Sequence, residues 1–257
     1  MNVTNYHFTT SKKLIQNIPV LTFTDGNRAP KPLVIMSHGF TGKKEDLIPY
    51  LKELASMGYY AVGLDNRLHG ERDGEGFESV FSEGNRLNCF KLFNAIKENA
   101  EDIRTLIEYF VGESEIDITR VGMLGISMGG FTTYRVLCID KRIKVAVPMI
   151  SSAVWGDAPA DVKIDDSPEA IKAFEVLSKN YSPSNSPNNF YPAAILMQAG
   201  GIDGHYNLVK LRGFYNTLNS NYQSMSDRVN LIVHEGVAHT VTPQMWENAK
   251  EWLKQYL

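Results

Sequence analysis

Gly125-Ile126-Ser127-Met128-Gly129-Gly130 follows the apolar run Val121-Gly122-Met123-Leu124 and precedes a segment of helical pattern, Thr132-Thr133-Tyr134-Arg135-Val136-Leu137. A serine flanked at two positions by glycine, where a strand hands over to a helix, is the G-x-S-x-G elbow. The turn strains the serine backbone, and the glycines let the strand and the helix approach with no side chain between them. Ser127 is thereby lifted toward solvent with a helix N-terminus behind it. Three fixed positions in five also arise by chance, so the strand-turn-helix setting gives the pattern its weight.

Working outward, short apolar runs alternate with longer helical patterns, as in a mostly parallel sheet with helices on both faces. Leu33 to Met36 and Tyr60 to Leu64 read as the first buried strands, followed by Arg120 to Gly125, Val145 to Pro148, Ala194 to Ala199 and Val229 to His234. Ile18 to Thr24 reads as an antiparallel edge. Leu92, Ile96, Ile103, Leu106, Ile107 and Phe110 line one face of a long helix. Thr242 and Pro243 open the last helix, whose apolar stripe is Met245, Ala249, Trp252 and Leu253. Ser151 to Tyr191 breaks this rhythm with proline, serine and asparagine around one helical pattern, Ser167-Pro168 to Leu177. It is expected to be a small cap inserted in a single domain spanning residues 1–257. A second irregular stretch, Asn66 to Asn88, is expected to border the same end of the sheet.

The balance of 43% hydrophobic and 21% charged residues is that of a globular chain. With 26 basic and 29 acidic side chains the net charge is −3, which offers no field for gathering nucleic acid. Cys89 and Cys138 fall in helical patterns and are expected to be free thiols. The polar N-terminus, Met1 to Lys13, lacks the apolar core of a secretory signal, and no run reaches the roughly 18 apolar residues that span a bilayer. A cytoplasmic protein with no stable membrane insertion is therefore expected.

A serine hydroxyl is a weak nucleophile that needs a base oriented by an acid, and on an elbow of this kind the partners follow in the order serine, acid, histidine. Of the six histidines, His7, His38 and His69 precede Ser127. His234 lies inside an apolar run and His205 is two residues beyond the best acid. His239, on the loop before the last helix, is the expected base. Asp203, in the loop after the Ala194 to Ala199 run, is the expected acid, with Asp157 in reserve. The oxyanion donors are expected from the amides of Met128 and Phe40, the latter in the turn Ser37-His38-Gly39-Phe40-Thr41-Gly42. His38 reads as a structural residue of that turn, and the charges near Lys43 as a solvated helix start. Phe40 and Trp155 are candidate substrate contacts. Trp155, Phe174 and Tyr181 either wall an acyl pocket or give the insertion its own small core.

Other signals fail. His234-Glu235-Gly236-Val237-Ala238-His239 has one residue too many for the zinc motif H-E-x-x-H and lacks its helix. No phosphate-binding glycine loop is present, and no metal or organic cofactor is implied.

Ser37 to Asp46, Asp65-Asn66-Arg67-Leu68-His69-Gly70-Glu71-Arg72 and the Ser127 elbow together resemble the α/β-hydrolase superfamily. Within it the likeness is to bacterial esterases allied to the prolyl-oligopeptidase catalytic domain and to dienelactone hydrolase. The resemblance runs from about Leu33 to the C-terminus. It implies Ser127 as nucleophile, Asp203 as acid, His239 as base, the Phe40 and Met128 amides as oxyanion hole, and a structural role for the turn at His69. Two departures matter: dienelactone hydrolase uses a cysteine where this chain has Ser127, and the 32 residues before Leu33 leave no room for a propeller. The expectation is a serine carboxylesterase acting on small-molecule esters. The alternatives are a peptidase or amidase, a thioesterase or acyltransferase, and a non-catalytic binding module. The modest insertion predicts short acyl chains, and nothing in the sequence sets the oligomeric state.

Overall fold

A computed structural model describes residues 8–257 apart from 73, 75, 158 and 161. His7 and two positions of the 151–191 insertion thus lie outside the described residues. The strands are β1 (Thr9–Ile15), β2 (Ile18–Thr24), β3 (Lys31–Ser37), β4 (Tyr60–Leu64), β5 (Phe81–Ser82), β6 (Arg86–Leu87), β7 (Ile116–Ile126), β8 (Ile143–Met149), β9 (Ala194–Gly200) and β10 (Val229–His234). The helices are α1 (Ile48–Ser56), α2 (Cys89–Phe110), α3 (Met128–Ile139), α4 (Pro168–Tyr181), α5 (Leu208–Asn221) and α6 (Pro243–Tyr256).

Eight strands form one sheet in the order β1-β2-β4-β3-β7-β8-β9-β10, while β5 and β6 pair separately. From β4 to β10 every pairing is parallel, and β2 joins β4 antiparallel. This is the mostly parallel, helix-flanked α/β-hydrolase architecture expected from the sequence. One correction concerns the edge: β2 is antiparallel but lies inside β1, to which it is joined by Gln16 and Asn17 with φ of 50° and 65°. Positive φ at both central residues is what a type I′ two-residue hairpin turn requires.

The sheet's period of two divides its side chains between two cores. Leu33 and Ile35 of β3 face α2, α3 and α5 together with Ile195 and Met197 of β9. Val34 and Met36 face α1 and α6, meeting Leu51, Leu54, Ala249 and Leu253. Helix starts follow the sequence signals: Thr242 Oγ1 accepts the Met245 N–H at 3.2 Å, and Ser167 and Asn88 cap α4 and α2 in the same way. Among the described residues no helix is long and apolar enough to cross a membrane.

Parallel strands deliver their following loops to one edge of the sheet, where α/β folds place their sites. The loops after β3, β4, β7, β9 and β10 all emerge there. Part of the 151–191 stretch runs along this edge: the Ala160 N–H donates to Gly204 O at 2.9 Å, and the Leu87 N–H donates to Lys163 O at 2.8 Å.

Candidate active site

Ser127 stands between β7 and α3 with φ 51° and ψ −113°, a left-handed conformation that a side chain adopts only under constraint. The constraint is visible. Its N–H donates to Met149 O at 3.0 Å and its carbonyl accepts the Phe131 N–H at 2.9 Å. A Cβ on Gly125 would lie 2.0 Å from Gly129 O, and one on Gly129 would lie 2.1 Å from Ser37 O. Only glycine permits β3, β7 and α3 to meet this closely.

The Ser127 hydroxyl lies 2.8 Å from His239 Nε2, and His239 Nδ1 lies 2.7 Å from Asp203 Oδ2. A carboxylate only accepts, so the His239 proton is on Nδ1 and the Nε2 lone pair faces the hydroxyl. The loops carrying Asp203 and His239 are zipped together. Gly201 N–H donates to His234 O at 2.9 Å and Ile202 N–H to Val237 O at 3.1 Å. The Asp203 side chain has no exposed surface. Burial, the largest influence, raises its pKa, but hydrogen bonds from the His239 ring and the His205 N–H outweigh it and hold the carboxyl below the ordinary range.

The Met128 amide follows Ser127 at the first position of α3, and the turn after β3 that carries the Phe40 amide passes close by at Gly39, where a Cβ would lie 3.6 Å from Ser127 Cβ. Neither N–H donates to a partner among the described residues. The turn is fixed from behind. His38 Nε2 accepts the Asn66 N–H at 3.1 Å while Nδ1 donates to Gly39 O at 2.7 Å, and His69 Nε2 accepts the Thr41 N–H at 3.0 Å. Burial pushes the His38 pKa down to about 4, so the ring is neutral at pH 7, and burial lowers His69 as well. Both serve the turn as structural residues, in line with the sequence reading.

Three expectations change. Lys44 is not solvated: it is buried, with Nζ 2.7 Å from the fully buried Asp65 carboxylate and Glu71 also in contact, which ties the start of the Lys44–Leu47 turn to the loop after β4. Trp155 does not reach the cavity beside Ser127; it stands behind Phe93, with ring centroids 5.1 Å apart, and Phe174 packs on the same ring. Asp157, the reserve acid, pairs with Lys210 at 2.7 Å. His234 contacts Gln198 Oε1 at 3.2 Å and takes no part in the Ser127 cluster.

One residue was missed. His205 lies against His239, with ring centroids 3.8 Å apart and planes at 22°, and its Nδ1 is 3.2 Å from Asp203 Oδ1. The signal was an Asp-x-His spacing: a turn in which the His205 N–H donates to Asp203 Oδ1 at 2.9 Å brings that ring back over the acid. Asp203, His205 and His239 also place potential metal-ligand atoms within 4.8 Å of one another. Both Nδ1 atoms are already engaged with the carboxylate, which explains the cluster without an ion.

Ser127 and His239 open into a cavity of about 580 Å³, within the usual range for small-molecule sites. Phe40, Phe81, Leu92, Phe93 and Phe131 line it, together with Tyr50, Val241 and, from the 151–191 stretch, Pro159 and Val162. Among the described residues lining it, the two histidines are the only side chains that can carry charge at neutral pH.

The family described as "Serine aminopeptidase, S33" matches residues 28–199, a span that includes Ser127 and stops before Asp203 and His239. "Putative esterase YitV" of Bacillus subtilis (strain 168) is 28% identical over 235 residues, covering 88% of this chain and 89% of that protein. TT1662 from Thermus thermophilus superposes with a TM-score of 0.77 at 21% identity, over 97% of this chain and 98% of its own. The Pyrococcus furiosus esterase Pf2001 gives 0.67 at 18% identity, over 98% and 93%. At such identities the two structures speak for the fold alone. The family match, spanning about two thirds of the chain, places this protein among the serine hydrolases of the S33 serine aminopeptidase family.

Proposed function

We propose that the protein is a serine carboxylesterase that works through an acyl-enzyme on Ser127. The observation that carries this reading is the hydrogen-bonded series Ser127–His239–Asp203 at 2.8 and 2.7 Å, beside two amides that have no partner among the described residues. His239 Nε2 takes the hydroxyl proton as Ser127 Oγ attacks the ester carbonyl. The Phe40 and Met128 N–H groups receive the developing oxyanion, and the alcohol leaves with the proton from His239. Water, deprotonated by the same nitrogen, then releases the acid and restores the hydroxyl. Asp203 stays ionised throughout and stabilises the imidazolium.

The cavity's chemistry favours a small uncharged ester. Its walls are apolar and aromatic, and about 580 Å³ must hold both the acyl and the alcohol portions, which favours short acyl chains. Residues 151–191 act as a cap in this reading, since Pro159 and Val162 close one side of the cavity. The family's description raises an aminopeptidase reading. Turnover of an aminoacyl anilide, tested beside the esters, distinguishes it from the ester reading.

The test is hydrolysis of a p-nitrophenyl ester series from acetate to palmitate, with a matched anilide, by the wild type and Ser127→Ala. Expected are fastest turnover of short esters, slow anilide cleavage, and a loss of about 10⁴-fold or more in the variant. Undiminished activity in Ser127→Ala would overturn the mechanism. Preference for an aminoacyl anilide over the esters would overturn the substrate class.

A further inference from the structure

We infer that His205 is a positioning residue, locking the Asp203–His239 pair by holding the free carboxylate oxygen and lying flat against the His239 ring. The inference rests on the proposed triad and assigns a role to a side chain outside it.

A carboxylate held by one hydrogen bond can turn about its own axis and offer either oxygen, which lets the imidazole it orients swing. Asp203 is held at both. His239 Nδ1 occupies Oδ2 at 2.7 Å, and the backbone N–H and ring Nδ1 of His205 occupy Oδ1 at 2.9 and 3.2 Å. The second restraint acts on the base directly. With centroids 3.8 Å apart and planes at 22°, the His205 ring blocks one face of His239, so the base cannot tip that way without losing Ser127. Positioning to within a fraction of an ångström is what the Ser127 contact of 2.8 Å demands.

The arrangement works with a neutral His205. As a neutral Nδ1–H donor it shares Asp203 with His239, whereas as a cation it would stand directly against the imidazolium formed during turnover. Among the described residues, the titratable groups facing the pair include Asp203 itself, Tyr206, kept protonated by burial and by the Asp203 charge, and Glu235 of the loop after β10, whose carboxylate lies beside Gly201. Removing the ring donor leaves the residue 205 backbone N–H alone on Oδ1 and shifts negative charge toward Oδ2. That stabilises the protonated form of His239, so the acid limb of the kcat/KM profile moves to higher pH.

The experiment compares His205→Ala, His205→Asn, which keeps a donor without the stack, and His205→Phe, which keeps the stack without the donor. Ser127→Ala serves as the control, and thermal midpoints establish folding. Expected for His205→Ala is a kcat lower by 10- to 100-fold with KM within about twofold, as for an interaction that matters in the transition state. The acid limb should move up by about half a unit or more in His205→Ala and His205→Phe. Asn and Phe should each restore part of the rate. Ring-¹⁵N NMR of the unsubstituted protein reads the same claim without a variant, and also decides it should His205→Ala fail to fold: His205 should be the Nδ1–H tautomer. The inference falls if all folded variants keep kcat within twofold with an unmoved acid limb, if KM alone rises, or if His205 carries its proton on Nε2. Retained activity in Ser127→Ala marks failure of the triad reading instead.

Discussion

Gly129 shows how tightly single atoms are fixed around Ser127. A Cβ there would meet Ser37 O at 2.1 Å and His38 O at 2.8 Å, both backbone atoms that cannot rotate away. Gly129→Ala must therefore push α3 off the turn that carries the Phe40 amide. We expect a stability loss of roughly 3 kcal/mol in chemical denaturation, together with ester turnover reduced by about 100-fold or more in protein that remains folded. Wild-type turnover in this variant would show that the two proposed oxyanion donors tolerate displacement. His38 offers a test with a defined sign. Its pKa is about 4 in the folded protein, because of burial, against an ordinary value near 6.5. Between these values the unfolded chain binds a proton that the folded protein refuses, so its contribution is complete above pH 6.5 and declines as the pH falls toward 4. The span corresponds to about 3 kcal/mol. The stability gap between wild type and His38→Asn should shrink by that order across this interval in urea titrations, whereas a gap independent of pH would exclude the linkage. At this scale the candidate nucleophile, acid and base were legible because a strand-turn-helix elbow imposes an order on its partners. His205 was not: its spacing from Asp203 ties it to the acidic side chain, but nothing in a linear reading brings two histidines 34 positions apart into a stack.

Among the elements, those that bury a face in a regular period were readable, and those lying on the surface were not. β4 and β10 begin and end where their apolar runs do. β1 escaped because Thr-Thr-Ser-Lys-Lys is an edge strand with mostly exposed side chains, and its clearest signal is the backbone of Gln16 and Asn17. The charged Lys44 turn was misread for the opposite reason: its partner Asp65 lies 21 residues away, and sequence shows charge without showing who neutralises it. Helix α6 has a consequence for the site. Its N-cap Thr242 is three residues beyond His239, and the Thr242 Oγ1 bond to the Met245 N–H is 3.2 Å long. Thr242→Ala should cost about 1 kcal/mol of stability, measured by thermal or urea unfolding. Because the cap anchors the end of the His239 loop, turnover should fall several-fold at temperatures well below the unfolding midpoint. Unchanged unfolding would mean that the helix start is held by Pro243 and by tertiary packing alone.

Across the whole molecule, the cavity is a joint product of segments far apart in the chain. Leu92 and Phe93 from α2, Phe131 from α3, Pro159 and Val162 from the 151–191 stretch and Val241 from the loop before α6 share one space around Ser127. Trp155 and Phe174 stiffen the wall from behind Phe93. A sequence reading places each of these in its own element but cannot say which side chains converge, which is why Trp155 was open to either a wall or a core role and Phe93 was not considered. Leu92 is the best lever on this space, because it lines the cavity yet is only half-buried against the core. Truncating Phe93 would also remove the support shared by Phe131, Trp155 and Phe174, at a cost of roughly 3–5 kcal/mol. Leu92→Ala should therefore enlarge the cavity while leaving the fold and the Ser127–His239 contact in place. The expected outcome is a kcat/KM optimum displaced toward longer p-nitrophenyl esters, with the ratio of hexanoate to acetate rising several-fold. Because a lost methylene contact is worth about 1–3 kcal/mol in an apolar pocket, shifts between 5- and 100-fold fit this origin. An equal loss for every chain length would instead mean that Leu92 lies on the path to the serine rather than beside the bound acyl group.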